Sequence, residues 1–376
     1  MTQVLSVSCK LVVPHELRQE IERTLEAFAN ACNQILAVAN DSGVHNSTKL
    51  HHLTYYPVRA ATGLKANHVC QAIRRVVGAL AAKRQTRVFR PTSIALDVRT
   101  FSFREKDWHV GLTLISGRVW LPLKIGGYQI ALLRRQKPTS ATLKKHRDGS
   151  YHINIAVELD TPPTGSTPKV IGVDLGRRDI ATTSTGRAWS GEQLQATRNR
   201  YAQVRSNVQR KRTKSSRRLL RRLSGRERRF QSNINHTISK SLVTEARNAR
   251  AMLAFEDLTG IRGRVKARGA KQQREGNAWA FYQLRLFVGY KASLSGVGVV
   301  FVDPRYTSQT CSCCHRLGDR NRKRFDCGWC GLSADADINA AINIAALGVT
   351  VDAPEGSTLY CEWGCQLVDA PMCCAG

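Results

Sequence analysis

The sequence predicts a multidomain α+β chain: a small β-barrel interrupted by a bundle of helices, then an α/β domain that carries a small cysteine-rich insert. Three observations predict it. The apolar period is two near the N-terminus, lengthens to three and four, and returns to two from Val88. A Pro-, Thr- and Gly-rich stretch at 161–168 separates two halves of different pattern. Beyond it, apolar strands alternate with helical segments, and two Cys-x2-Cys pairs lie close together late in the chain.

Residues 3–13 place Leu5, Val7, Cys9, Leu11 and Val13 on one face and Ser6, Ser8 and Lys10 on the other, the pattern of a half-buried strand. Pro14 follows, where a helix can begin. Leu17, Ile21, Leu25, Phe28, Cys32 and Ile35 then recur at spacings of three and four, giving an amphipathic helix to about Asn40 that Asp41-Ser42-Gly43 ends. A second helix is expected over 65–84, with Val69, Ile73, Val76 or Val77, and Leu80 on one side, and Arg74 and Arg75 off that stripe. Six short strands are expected next, at 94–98, 101–103, 109–114, 119–123, 129–133 and 152–159, with Asp148-Gly149 as a hairpin turn. Short strands at this spacing suit a small barrel. The strand at 3–13 is expected to join it, so 1–13 and 87–160 form the barrel and 14–86 a helical insertion.

The second half opens on apolar Val170 to Leu175, interrupted by Asp174. Strands at 180–185 and 187–190 flank the Thr185-Gly186 turn, and 193–250 reads as long and helical. Strands at 251–258 and 298–302 bracket a helix at 278–295, and a last helix covers 335–347. The α/β domain is thus expected over 168–306 and 334–348, the insert over 307–333, and a flexible tail over 349–376. No longer period recurs, which excludes a solenoid.

Of 376 residues, 58 are Lys or Arg and 28 Asp or Glu, a net charge of +30. A hydrophobic share of 42% excludes a chain disordered throughout. The longest apolar runs, such as 251–255 and 297–302, fall far short of the roughly 20 residues a membrane-spanning helix needs. Residues 1–10 have neither a basic start nor a long apolar stretch, so no secretory leader is expected. So large a positive excess repels itself unless a polyanion neutralises it, and nucleic acid is the usual one. The densest block is Arg198, Arg200, Arg205, Arg210, Lys211, Arg212, Lys214, Arg217, Arg218, Arg221 and Arg222, continuing to Arg229 with Glu227 as the one acid. These residues, with Arg74 and Arg75, are the expected nucleic-acid contacts.

Cys9, Cys32 and Cys70 sit singly at apolar positions and read as buried thiols. Cys311-x2-Cys314 and Cys327-x2-Cys330 are different: two knuckles beside turns let four thiolates reach tetrahedral zinc geometry, and a full shell of four makes the zinc structural. Cys361, Cys365, Cys373 and Cys374 fall in the tail, where a second metal site is not expected. Three carboxylates stand where the apolar pattern makes an acid costly: Asp174 in its strand, Glu256 at the end of Ala254-Phe255-Glu256, and Asp337 on the last helix. Asp257 and Asp335 are their rivals. A first-strand acid, a later strand acid and a C-terminal helix acid match the RNase H-like layout, in which carboxylates converge on two divalent ions that clamp a phosphodiester. Magnesium suits such oxygen ligands.

At this point the sequence resembles a known family. Ile171-Gly172-Val173-Asp174-Leu175-Gly176, Phe255-Glu256-Asp257-Leu258 and Asp337-x-Asn339-Ala340-Ala341-x-Asn343-Ile344 resemble the three RuvC motifs of the TnpB proteins encoded by bacterial insertion sequences. Tyr306 to Cys314 and Phe325 to Gly331 resemble that family's zinc ribbon, and Trp279, Phe281, Leu284, Tyr290 and Lys291 its W-x-F…L…YK stretch. One departure is His315, where the family has Gly; it bears on the turn more than on ligation. The resemblance covers about 168–347 and is looser before. It implies a magnesium-dependent, RNA-guided endodeoxyribonuclease related to compact type V CRISPR effectors. Such a protein binds a transposon-derived guide RNA (ωRNA), recognises a short motif beside a double-stranded DNA target and cuts at one RuvC site. It would be a prokaryotic, cytoplasmic protein met on the nucleoid, its barrel a wedge and its helices a recognition domain. Two rivals stand beside it: an RNase H-fold resolvase or transposase without guide RNA, and an RNA-guided repressor, a class that loses acids retained here.

Overall fold

The computed structural model describes residues 2–82, 88–164, 167, 169–176, 178–258 and 281–352. The chain divides into two compact units, Thr2–Leu159 and a second from Asp160 onward. No helix among the described residues is long and apolar enough to cross a membrane.

In the first unit, β1 (Thr2–Leu11) leads into α1 (His15–Ser42), α2 (Ser47–Thr62) and α3 (Ala66–Ala81). There follow β2 (Ser93–Leu96), β3 (Phe101–Arg104), β4 (His109–Thr113), β5 (Arg118–Lys124), α4 (Gly127–Leu133), β6 (Ala141–Lys145) and β7 (Tyr151–Asp160). The strands make one seven-stranded sheet of order β2-β6-β7-β1-β5-β4-β3. The first strand lies mid-sheet, so the three helices interrupt the sheet's strands along the chain. Ile21, Leu25 and Phe28 of α1 share one core with Leu112, Leu121 and Ile153 of the sheet. The Asp148-Gly149 turn joins β6 to β7, with Gly149 at φ +82° and its N–H on His146 O at 3.0 Å.

Three expectations change here. Residues 129–133, expected as a strand, are helical: Gln129 Oε1 accepts from the Gly126 N–H at 3.1 Å, and Ile130 N–H donates to Gly126 O, so the glycine pair starts a helix instead. Helix α2 is not expected from the pattern, because its buried stripe is only Leu50, Thr54 and Val58, with Pro57 inside. Strand β6 hides in a basic segment where only Ala141 and Leu143 alternate inward. Residues 83–84 of the expected second helix lie outside the described residues.

The second unit contains β8 (Val170–Asp174), β9 (Asp179–Thr183), β10 (Ala188–Ser190), α5 (Glu192–Arg210), α6 (Lys214–Leu223), α7 (Arg226–Ala249) and β11 (Met252–Glu256). Then come α8 (Phe281–Ser295), β12 (Val299–Val302), β13 (Asp319–Asn321), β14 (Arg324–Asp326), β15 (Ser333–Asp335) and α9 (Ala336–Asp352). The long helical stretch is three helices, interrupted where Arg212 (φ 49°) and Gly225 (φ 78°) turn left-handed. The main sheet has order β10-β9-β8-β11-β12. β8 runs antiparallel to β9 and parallel to β11, and β11 runs parallel to β12.

Strand parity sorts the layers. Ile171, Val173, Leu253 and Phe255 face one way and share a core with Leu242 of α7 and Leu284 of α8. Gly172 faces α9, where a Cβ would stand 2.0 Å from Ala341 O, so the strand needs glycine for the helix to lie on it. Gly348 of α9 repeats the device from the other side, its missing Cβ falling 2.6 Å from Ala254 Cβ. Helix α9 runs to Asp352, beyond the expected helix end at 347; the rest of the expected tail, with Cys361, Cys365, Cys373 and Cys374, lies outside the described residues.

Candidate active site

Asp174 and Glu256 are the last residues of two adjacent parallel strands, one step past the paired Val173 and Phe255. Their parity is that of Gly172 and Ala254, so both side chains leave on the α9 face. Asp337 comes from the first turn of α9, an end where the helix dipole favours an acid. Carboxyl ends of parallel strands are where open α/β sheets place their ligands. Glu256 and Asp337 are only 9% and 8% exposed.

Burial sets the electrostatics. It pushes the Asp174 carboxyl up to about 7, with the charges of Glu256 and Asp337 adding to the shift and Arg320 opposing it. Burial also raises Glu256, against a hydrogen bond from Thr307 and the Arg320 charge. Asp337 is raised for the same first reason, and Arg320 again opposes. The three acids thus form one electrostatic cluster, and one guanidinium answers it: Arg320 Nη2 donates to Asp337 Oδ1 at 2.7 Å. Arg320 comes from β13 of the cysteine-rich insert. Nothing in the sequence separates it from the other arginines.

The rival acids have other work. Asp257 takes the opposite parity and pairs with Arg285 of α8 at 3.2 Å. Asp335 caps α9, accepting from the N–H groups of Asp337 at 2.9 Å and Ile338 at 3.2 Å. Sequence pattern missed Asp179, which is buried and ion-paired with Lys323 of the insert.

In the insert, the ligand atoms of Cys311, Cys314, Cys327 and Cys330 all lie within 4.8 Å of one another, with Sγ–Sγ separations of 3.6 Å for Cys311–Cys330 and 3.5 Å for Cys314–Cys327. A tetrahedron of about 2.3 Å Zn–S bonds has edges of about 3.8 Å, so the four thiols fit a zinc ion. The knuckles repeat each other: His315 N–H donates to Cys311 O and Gly331 N–H to Cys327 O, both at 3.0 Å. Both residues are left-handed, His315 at φ 56° and Gly331 at φ 75°. The Cys330 thiol is lowered to about 6, chiefly by a backbone hydrogen bond from Leu332, which readies it as a thiolate. Cys313 is not one of the four; its N–H donates to Cys311 Sγ at 3.4 Å.

The basic block is largely open. Arg200, Arg210, Lys211, Arg212, Lys214, Arg217, Arg218, Arg221 and Arg222 are exposed. Arg205 is exposed too but pairs with Glu227 at 2.9 Å, and Arg198 is half-buried beside the same acid. In the first unit Arg74 is exposed, whereas Arg75 turns inward, donating to Ser93 O at 2.7 Å and lying over the Phe28 ring. Phe281 and Leu284 are core residues, and Lys291 ties α8 to α7 through His236 O and Ser239 Oγ. Trp279 lies outside the described residues.

Comparison with known proteins adds an independent line. Residues 152–258 match the family OrfB_IS605, described as a probable transposase, and residues 281–344 match the Cas12f1-like TNB domain. The chain is 37% identical over 127 residues to a TnpB-like protein of Methanocaldococcus jannaschii, covering 34% of this chain and 46% of that one. The chain is a relative of the TnpB-like proteins. It is also 38% identical over 120 residues to the CRISPR-associated endodeoxyribonuclease Cas12f1 of Sulfoacidibacillus thermotolerans, over 31% of this chain and 27% of that one. It spans less than half the length of either relative. The fold resembles that in a cryo-EM structure of a Cas12f1–sgRNA–target DNA complex, with a TM-score of 0.64 at 14% identity, covering 89% of this chain and 83% of that one. The transposase match includes Asp174 and Glu256; the TNB match includes Asp337 and all four cysteines.

Proposed function

We propose that this TnpB relative is an RNA-guided DNA endonuclease that hydrolyses phosphodiesters at one RuvC-like site made by Asp174, Glu256 and Asp337. The observation that carries the reading is that Asp174 and Glu256 end adjacent parallel strands on the face that α9 covers, with the charges of Glu256 and Asp337 both raising the proton affinity of Asp174. The sheet order, third-second-first-fourth-fifth along the chain, with acids on the first and fourth strands and on the last helix, supports an RNase H-like fold. In the first unit, the sheet is read as a wedge barrel over 1–13 and 87–160 and the helices of 14–86 as a recognition domain. The zinc ribbon occupies 307–333 and the nuclease domain 168–306 and 334–348.

Hard oxygen donors, crowded and short of positive charge, fit magnesium, and Asp174, Glu256 and Asp337 would hold it. Bound there, the ions would activate the attacking water and neutralise charge on the phosphate. The chain's own part is to pre-assemble the acids: the strands set Asp174 beside Glu256, and α9 brings Asp337 over them. Burial raises the proton affinity of Asp174 and Glu256, so a cation bound there would displace protons and relieve the cost of the buried charge. Arg320 adds a positive charge at the edge of the cluster, suited to a phosphate oxygen.

The nucleic acids follow from charge and kinship. The open arginines of α5 and α6 suit a heteroduplex held by its backbone. The solved Cas12f1 complex holds an sgRNA and a target DNA, and the motif resemblance makes the guide here a transposon-derived RNA (ωRNA) and the target double-stranded DNA. The test is to purify the protein, sequence its bound RNA, and assay magnesium-dependent cleavage of matching DNA carrying randomised flanks. A discrete co-purifying RNA that directs cutting is expected. Full-rate cutting after complete RNA removal would leave the unguided resolvase or transposase reading in its place.

A further inference from the structure

The hydroxyl of Thr307 donates to Glu256 Oε1, and Thr307 is 1% exposed. Thr307 lies on the segment that leaves β12 for the zinc ribbon, and that segment is strapped to α9 by two buried amides. Asn343 Nδ2 donates to Thr307 O at 2.9 Å and to Thr310 O at 2.7 Å. Asn339 Nδ2 donates to Thr310 O at 2.7 Å, while its Oδ1 accepts from the Ser312 N–H at 2.9 Å, so the amide spans Cys311. Asn339 and Asn343 are one turn apart and share a face of α9. The helix that carries Asp337 is thereby tied to the first zinc knuckle, and the tie ends on Glu256.

Asparagines 0% and 4% exposed are costly unless hydrogen-bonded, and both amide nitrogens and Asn339 Oδ1 are bonded. Fastening the strap would explain them alone. It does not explain Thr307, whose hydroxyl also has Pro304 O at 3.2 Å within the strap and still reaches the acid. We infer that Thr307 is a positioning residue: its hydroxyl orients the Glu256 carboxylate toward the divalent cation, and Asn339 and Asn343 hold Thr307 at the height where it can do so. The inference rests on the reading of Glu256 as a magnesium ligand. Residues that orient a metal ligand typically matter 10–100-fold for metal affinity or activity.

The test uses the purified protein with its bound RNA. Thr307→Val keeps the shape and removes the donor, Thr307→Ala removes it with less bulk, and Thr307→Ser restores it. Binding of Mn2+ to the DNA-free complex is followed by the EPR signal of the free ion, with the Glu256→Gln complex setting the background from RNA. Thr307→Val and Thr307→Ala are expected to weaken the site's Mn2+ binding about 10- to 100-fold and to raise the half-saturating magnesium for cleavage equally. Zinc content and target binding stay at the unsubstituted level, and Thr307→Ser returns both metal readouts to within a few-fold. Unchanged Mn2+ binding and magnesium dependence in both donor-free variants would overturn the inference. So would weakening that appears only together with zinc loss, since the strap would then be purely structural. The underlying reading is checked separately: if Glu256→Gln binds Mn2+ and cleaves like the unsubstituted protein, it is the ligand assignment that fails.

Discussion

Burial, with the charges of Glu256 and Asp337, raises the proton affinity of Asp174, and single substitutions there separate chemistry from architecture. Asp174→Ala is expected to reduce magnesium-dependent cleavage about 10³-fold or more, several kcal/mol of barrier, while RNA and target binding stay near their original level. Asp257→Asn, on the opposite face, is the control and should cleave within a few-fold. Persisting cleavage in Asp174→Ala would sink the site; loss in both would point to folding instead. Gly172→Ala tests the packing beneath: a Cβ placed 2.0 Å from Ala341 O and 2.5 Å from Ala345 N forces α9 off the sheet. Thermal or urea unfolding should show a loss at or above the usual ~1–3 kcal/mol of overpacking. At this scale the sequence is legible where cost makes a residue conspicuous. An acid in an apolar run stands out, whereas Arg320 is one arginine among many, and the work of Thr307 depends on a fold that brings 256 and 307 together.

Elements are legible in proportion to how much of their own code they carry. Strand β1 and helix α1 each show one unbroken period. Helix α2 buries only Leu50 and Val58 of its apolar side chains while Leu53 and Tyr56 are exposed, and α4 is made by a glycine pair and one capping glutamine rather than by pattern. The ribbon is the opposite case: its four cysteines announce it, because a metal needs fixed spacing. Its core is only Cys311, Phe325, Cys327 and Ala336, so a metal held by the four thiols would supply much of its stability. Cys327→Ser should therefore release zinc, measured by metal analysis, and expose the ribbon to protease while the rest of the chain stays folded. Full zinc occupancy in that variant would refute the four-thiolate site. His315 offers a gain instead. It holds the left-handed turn that Gly331 fills in the second knuckle, and a side chain there costs about 1 kcal/mol or more. His315→Gly should slow zinc loss to a chelator; a faster loss would show that the imidazole contributes something the turn geometry does not.

For the molecule as a whole, the net charge of +30 becomes a statement about place. On α6, Arg217 faces Arg221 and Arg218 faces Arg222 at one-turn spacing, and all four are exposed. Like charges so placed cost an isolated helix about 0.2–0.5 kcal/mol per pair, a repulsion that a bound polyanion would relieve. Replacing the four with Gln should therefore leave unfolding unchanged or slightly improved. Nucleic-acid binding should weaken at every sequence alike, and the slope of log affinity against log salt should flatten by roughly 0.7–0.9 for each phosphate that is no longer neutralised. Asp174→Ala should leave that slope untouched, since it takes away no cation that neutralises a phosphate. A salt titration of RNA binding and of target binding, run on both variants, decides the matter: an unaltered slope in the four-fold variant would mean that α6 is only a solvated basic face. A flattened slope for the guide alone, with target capture intact, would assign α6 to the RNA and leave α5 or the first unit to meet the DNA.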